Sequence, residues 1–159
     1  MDIVRVTTYS TKLTCEGKAI LEKEISVNCP NIDRIFNNPL KANQFARDFL
    51  EMDRRTEEYV YMLCLDTKNA MTGVFEITHG TVNRSYLSPR EVYQKALLAN
   101  AVGIILIHNH PSGNCTPSNE DRRITKQLTE AGKLLNIDLV DHVIIGDESY
   151  YSFKEEEAL

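Results

Sequence analysis

The chain has 159 residues, 42% hydrophobic and 26% charged, with a net charge of −5 and a pI of about 5.4. That length suits one domain with a real core and is short for two. The acidic balance gives non-specific nucleic-acid binding no electrostatic help, and no apolar stretch approaches the ~20 residues that span a bilayer.

Residues 1–37 alternate weakly between apolar and polar and predict one or two short strands around a turn at Glu16-Gly17. They form an N-terminal extension to the domain expected over residues 38–154, and residues 155–159 form an acidic, solvated tail. Asn38 and Pro39 read as an N-cap and first helical position. Ala42, Phe45, Ala46, Phe49 and Met52 then line one apolar face, so the helix should end near Asp53-Arg54-Arg55.

Residues 59–65, rich in aromatic and branched side chains, predict a strand closed by a turn at 66–69, with residues 70–77 as its hairpin partner running towards Gly80. Ser88-Pro89-Arg90-Glu91 reads as a capping box that opens a helix to about Asn100. Residues 102–108 are almost continuously apolar, the signature of a strand buried on both faces.

A turn at 111–114 leads to a helix from Ser118, with Ile124, Leu128, Ala131 and Leu135 as its apolar face. Residues 137–145 and 150–153 predict two further strands joined at Gly146-Asp147. Strands and helices interleave without repeats or linkers. The expected fold class is α/β, a single domain with a central mixed β-sheet flanked by helices.

The chemistry gathers between the buried strand and the helix that follows it. His108 and His110 are two apart on an extended chain, so they point the same way, and Asn109 between them points away. Gly113 permits a sharp turn that brings the next helix back over the histidines. With Ser118 as N-cap, Asp121 sits in the first turn and can aim at the same point.

Two imidazoles and one carboxylate suit zinc and leave a fourth position for water, the mark of a catalytic site. The expected metal ligands are therefore His108, His110 and Asp121, and the expected cofactor is Zn2+. Bound zinc lowers the pKa of its water from 15.7 toward about 7. Contiguity of His108-Asn109-His110 argues against an HNH nuclease, because that class draws those residues from separated positions.

Cys15, Cys29, Cys64 and Cys115 form no CxxC pair, as expected of a reducing cytoplasm. Cys115 reads as a loop residue rather than a further ligand. The first residues lack a basic segment followed by an apolar run, so no signal peptide is expected.

The pattern His108-x-His110, seven residues, Ser118, two residues, Asp121 resembles the JAMM motif of JAB/MPN metallopeptidase domains. The wider text is similar to the bacterial RadC branch: Leu65-Asp66-Thr67-Lys68-Asn69, Ser88-Pro89-Arg90-Glu91-Val92, His108 to Gly113, Pro117-Ser118, and Asp141-His142 before Ile144-Ile145-Gly146. The resemblance covers about residues 55–154.

It implies a JAB/MPN (cytidine deaminase-like) architecture with His108, His110 and Asp121 as zinc ligands. It further implies that Ser118 stabilises the oxyanion and that a glutamate on the first core strand is the general acid and base. By position that glutamate is Glu58. Glu57 is one residue out of phase, Glu76 is the reserve, and Glu91 is explained by its cap. Asp141 and His142 read either as supports for a ligand or as a strand-end network. Longer RadC-like proteins carry an N-terminal segment resembling helix-hairpin-helix motifs, which this chain does not show.

The expected function is a zinc-dependent JAMM-type metallopeptidase or isopeptidase acting on a peptide or protein substrate. The alternative is a non-catalytic, zinc-bound RadC-like module in DNA repair or protein binding. Phosphodiester hydrolysis ranks below both, since Arg122, Arg123 and Lys126 are the nearest cations and read as surface charges. The edge formed by residues 1–37 is available to pair with another chain.

Overall fold

The computed structural model describes residues 3–30, 32–80 and 87–159. Its elements are β1 (Ile3–Leu13), β2 (Ala19–Pro30), α1 (Pro39–Asp48), β3 (Glu58–Leu65), β4 (Met71–Gly80), α2 (Pro89–Leu98), β5 (Gly103–Asn109), α3 (Asn119–Leu135), β6 (Asp138–Ile145) and β7 (Tyr150–Ser152). One seven-stranded mixed sheet runs in the order β2-β1-β4-β3-β5-β6-β7. This is the α/β class with a central mixed sheet and helices on both faces.

β5 is the middle of the core because every one of its residues is buried. Ile105 and Ile107 pack with Ala42, Phe45 and Ala46 of α1 on one face. Ile104 and Leu106 pack with Val92 and Ala96 of α2 and Ile124 and Leu128 of α3 on the other. Each buried Ile, Leu, Val or Phe side chain among them contributes roughly 1.5–3 kcal/mol. β5 is antiparallel to β3 and parallel to β6, and α3 makes the crossover that a parallel pair requires.

Two helix starts are set locally. Asn38 accepts from Lys41 N at 3.1 Å at the start of α1. Ser118 and Asp121 exchange side-chain-to-backbone bonds in a capping box at the start of α3. Ser88 does not do the same: its side chain makes no cap bond. Its carbonyl instead takes Glu91 N at 3.0 Å and Val92 N at 3.2 Å, so the first turn of α2 is closed through the backbone.

Three other expectations change. The N-terminal strands are long rather than short, at 11 and 12 residues, and zip into a hairpin with a register shift between Thr8 and Tyr9. That hairpin joins the common sheet beside β4; positions 1, 2 and 31 of the stretch lie outside the described residues. α1 ends at Asp48, and Met52–Arg54 form a separate 3-10 turn, because Glu51 adopts a left-handed φ of 51° that interrupts the helix. Leu135, placed by periodicity on the inner face of α3, is 42% exposed. It is the last residue of α3. Residues 155–159 are exposed.

Candidate metal centre

Where β5 ends and α3 begins, three ligand-type side chains converge. His108, His110 and Asp121 each offer one atom, all within 4.8 Å of one another. His108 is buried as the sixth residue of β5. His110 follows the strand end, where its backbone N–H donates to Ile145 O at 3.0 Å. Asp121 is carried by the first turn of α3.

The loop between them turns at Gly113, whose φ is +80° and where a Cβ would lie 2.2 Å from Asp147 Oδ2. Asp147 N donates to Gly113 O at 3.0 Å. Arg47 of α1 holds this β6–β7 turn from behind, donating to Asp147 O at 2.7 Å, Gly146 O at 2.9 Å and Ser149 O at 3.1 Å. The metal loop therefore rests on a turn whose carbonyls are pinned by a guanidinium.

The donor geometry fits a cation. His108 Nε2 and His110 Nε2 are 3.0 Å apart, and they lie 3.3 Å from Asp121 Oδ1 and 3.4 Å from Asp121 Oδ2 respectively. His110 Nδ1 lies 2.8 Å from Asn114 O. A carbonyl only accepts, so Nδ1 carries a proton, and in the neutral ring Nε2 turns its lone pair to the centre. Lone pairs and a carboxylate this close repel one another unless positive charge lies among them. The group can hold a metal ion.

Burial pushes the Asp121 carboxyl up, but when His108 and His110 carry a proton on Nε2 their hydrogen bonds, with that from Ser118, outweigh it and hold the carboxyl well below the ordinary carboxylate range. Asp121 in turn raises the His110 imidazole against the opposing effect of burial, with Asn114 O and the field of Glu58 adding to the rise. Burial lowers His142 well below the ordinary histidine value, and the charge of His108 adds to that fall.

Glu58 reaches the same end of the sheet by register. Val60 lies opposite His108, so continuing the antiparallel ladder by two residues sets Glu58 opposite His110, on the face that carries the ligands. Asn109 secures that alignment. It is buried at 1% exposure; its Nδ2 donates to Glu57 O at 3.0 Å, and its Oδ1 accepts from Tyr59 N at 2.8 Å. One amide thus grips the backbone on both sides of Glu58.

Replacing Asn109 by Ala leaves a part-buried N–H and C=O without these partners, which costs roughly 1 kcal/mol, the lower end of the range for a fully buried group. Chemical denaturation should show that loss while zinc affinity stays at the wild-type value; unchanged stability would remove Asn109 as a clamp.

The other sequence candidates separate clearly. Glu76 faces the opposite side of the sheet, where it accepts from Tyr61 Oη at 3.0 Å and meets His79 Nδ1 at 2.7 Å; it is no substitute for Glu58. Glu91 is exposed on α2. Ser118 Oγ donates to Asp121 Oδ2 at 2.7 Å and accepts from Asp121 N at 3.1 Å, so its proton is held by the ligand carboxylate. Cys115 stands outside the ligand group with its Sγ 3.2 Å from Ser149 Oγ, and all four cysteines are free thiols.

Asp141 and His142 part ways. Asp141 accepts from His142 N, Lys154 N and Ser152 Oγ and so anchors β7; burial raises its carboxyl against those bonds. His142 bonds His108 Nδ1 at 2.8 Å. Thr125, which contacts His142, was not singled out in the sequence, and a mid-helix threonine gives no local signal of such a role. Arg123 is paired with Glu120 and Lys126 lies 4.0 Å from Glu130, so these cations are largely spent on their own helix. No helix among the described residues is long and apolar enough to cross a membrane.

Comparison with known proteins agrees with this geometry. A family model described as a RadC-like JAB domain matches residues 36–158. A UPF0758 protein of Thermotoga maritima is 42% identical over 144 residues, covering 91% of this chain and 64% of that protein. One from Chlorobium phaeovibrioides is 46% identical over 127 residues, covering 77% and 57%, and one from Desulfitobacterium hafniense is 37% identical over 157 residues, covering 97% and 68%. The chain thus spans about six-tenths of the length of the first two relatives. With the family model reaching from just before α1 to the tail and passing through every residue of the metal group, the chain belongs to the RadC-like JAB domain family.

Proposed function

We propose that this domain is a zinc-dependent hydrolase of amide bonds, acting as a peptidase or isopeptidase on a peptide or protein. The observation that supports the reading is the register of β3 against β5, Val60 opposite His108, which continued by two residues brings Glu58 to the His110 end on the sheet face of a group that could hold a metal ion and leave a fourth position open. When bound, zinc supplies a Lewis acid and lowers the pKa of a water ligand toward about 7.

The chain's own groups supply the rest. Glu58 accepts the proton released by the attacking water and delivers it to the leaving nitrogen. Asn109 keeps Glu58 facing the ligands. For Ser118 to support the developing oxyanion, its proton turns from Asp121 Oδ2 towards the substrate oxygen. Four free thiols suit a reducing compartment such as the cytoplasm.

The test is a panel of fluorogenic peptides and isopeptides, with and without chelator. Turnover that chelation abolishes and added Zn2+ restores supports the reading. A chain that holds stoichiometric metal yet cleaves nothing on the panel points instead to a module that keeps the ion as scaffold for protein or DNA contacts.

A further inference from the structure

Behind His108 runs a closed path of hydrogen bonds, and counting its protons gives it a direction. His142, on β6, is 1% exposed. Its Nε2 lies 2.8 Å from His108 Nδ1 and its Nδ1 lies 2.6 Å from Thr125 Oγ1. Thr125 Oγ1 is also 2.6 Å from Asp121 O. Phe153 stacks on the ring at 4.9 Å and 6°, so the imidazole cannot tilt away from these partners.

A backbone carbonyl only accepts, so the single hydroxyl proton of Thr125 is committed to Asp121 O. Thr125 Oγ1 therefore meets His142 as an acceptor, and His142 Nδ1 carries a proton. A deeply buried imidazole bonded only to a hydroxyl and another imidazole is neutral. Its Nε2 then has no proton and accepts one from His108 Nδ1. With its proton at Nδ1, neutral His108 presents a bare Nε2 to the centre. The opposite sense is closed, because Thr125 has no second proton to give.

Support of a metal-binding histidine usually comes from a carboxylate, a carbonyl or water. Here a neutral imidazole does it, and the path ends on the backbone of the acid ligand itself. We propose that His142 and Thr125 are positioning residues that set the tautomer of His108 and tie it to Asp121, so that ligands from β5 and α3 meet one ion in a fixed arrangement. The proposal rests on the metal reading of the site and goes beyond it in naming what aligns the ligands.

Two measurements decide it. In the metal-free chain with 15N-labelled histidines, long-range 15N–1H NMR should show His142 as the Nδ1–H tautomer; the Nε2–H form overturns the proposal. In competition with a chromogenic chelator, Thr125→Val and His142→Phe should each lose about 10–100-fold in Zn2+ affinity, and the Co2+-loaded variants should show shifted visible absorption. Thr125→Ser, which keeps the hydroxyl, should bind close to wild type.

Thermal melting of the metal-free proteins separates lost fold from lost alignment, and the NMR result on the wild-type chain stands even if a variant does not fold. Wild-type affinity and spectrum in both folded variants overturn the proposal alone. A wild-type chain that takes up neither Zn2+ nor Co2+ overturns the metal reading and the proposal with it.

Discussion

Glu58→Gln is expected to lower hydrolysis by about 10²–10⁴-fold, the range attributed to a positioned proton-transfer group, while bound zinc stays at the wild-type level. Glutamine matches glutamate in shape but cannot take a proton from water. His108, His110 and Asp121 are unaltered, and the Asn109 grip on Glu57 and Tyr59 uses only backbone atoms of those two residues. Glu76→Gln is the matched control, because that side chain lies on the opposite sheet face with Tyr61 and His79; its hydrolysis should stay near wild type. Equal rates in Glu58→Gln and wild type would take Glu58 out of the reaction, whatever the metal does.

Asp121→Ala should weaken metal binding by more than the roughly 10–100-fold that follows loss of a ligand's supporting hydrogen bond, since it removes the ligand itself. Asp121 also accepts from Ser118 N at 2.7 Å, so the alanine variant loses part of the α3 cap as well. Asp121→Asn keeps an acceptor for that cap but removes the charge, and should fold better than Asp121→Ala while still binding metal poorly.

Protons compete for the same site. Asp121 holds the His110 imidazole above its ordinary value, so His110 gains a proton at higher pH than a free histidine does. That proton occupies the lone pair a metal needs. Metal should therefore leave as pH falls through this raised range and return as pH rises. Elemental analysis at stepped pH checks the sign, and metal retention by Asp121→Ala at wild-type affinity would discard the ligand assignment.

The parts of this molecule legible from sequence are those with a short-range cause. The apolar run of β5 announced a strand covered on both faces, and Ile104 to Ile107 alternate between the two cores. The spacing His108-x-His110 carried its own geometry, because residues two apart on a strand share a face. Asn38 and Ser118 announced two helix starts through their capping chemistry.

What escaped depends on tertiary partners. β1 and β2 are only partly covered, so their alternation is faint and their length was underestimated. Ser88 has the letters of a capping box, but its carbonyl closes the first turn of α2. The alliance of His142 with His108 joins residues 34 positions apart, and no local pattern encodes a contact across a parallel crossover. Asn109 was legible as a side chain turned away from the ligands; that it clamps the strand carrying Glu58 appears only when β3 and β5 lie side by side.

Among the described residues the β1–β2 hairpin is zipped along eleven residue pairs within itself but meets β4 in register at one, Thr8 opposite Val74. Lifting it away would sacrifice the packing of Val4, Val6, Tyr9, Leu21 and Cys29, while His108, His110 and Asp121 lie on other elements, β5, the loop after it and α3. Two thresholds of resistance to unfolding are therefore expected. The outer ribbon should fray and re-anneal at the lower one, while the end of the sheet that carries His108 should yield only at the higher.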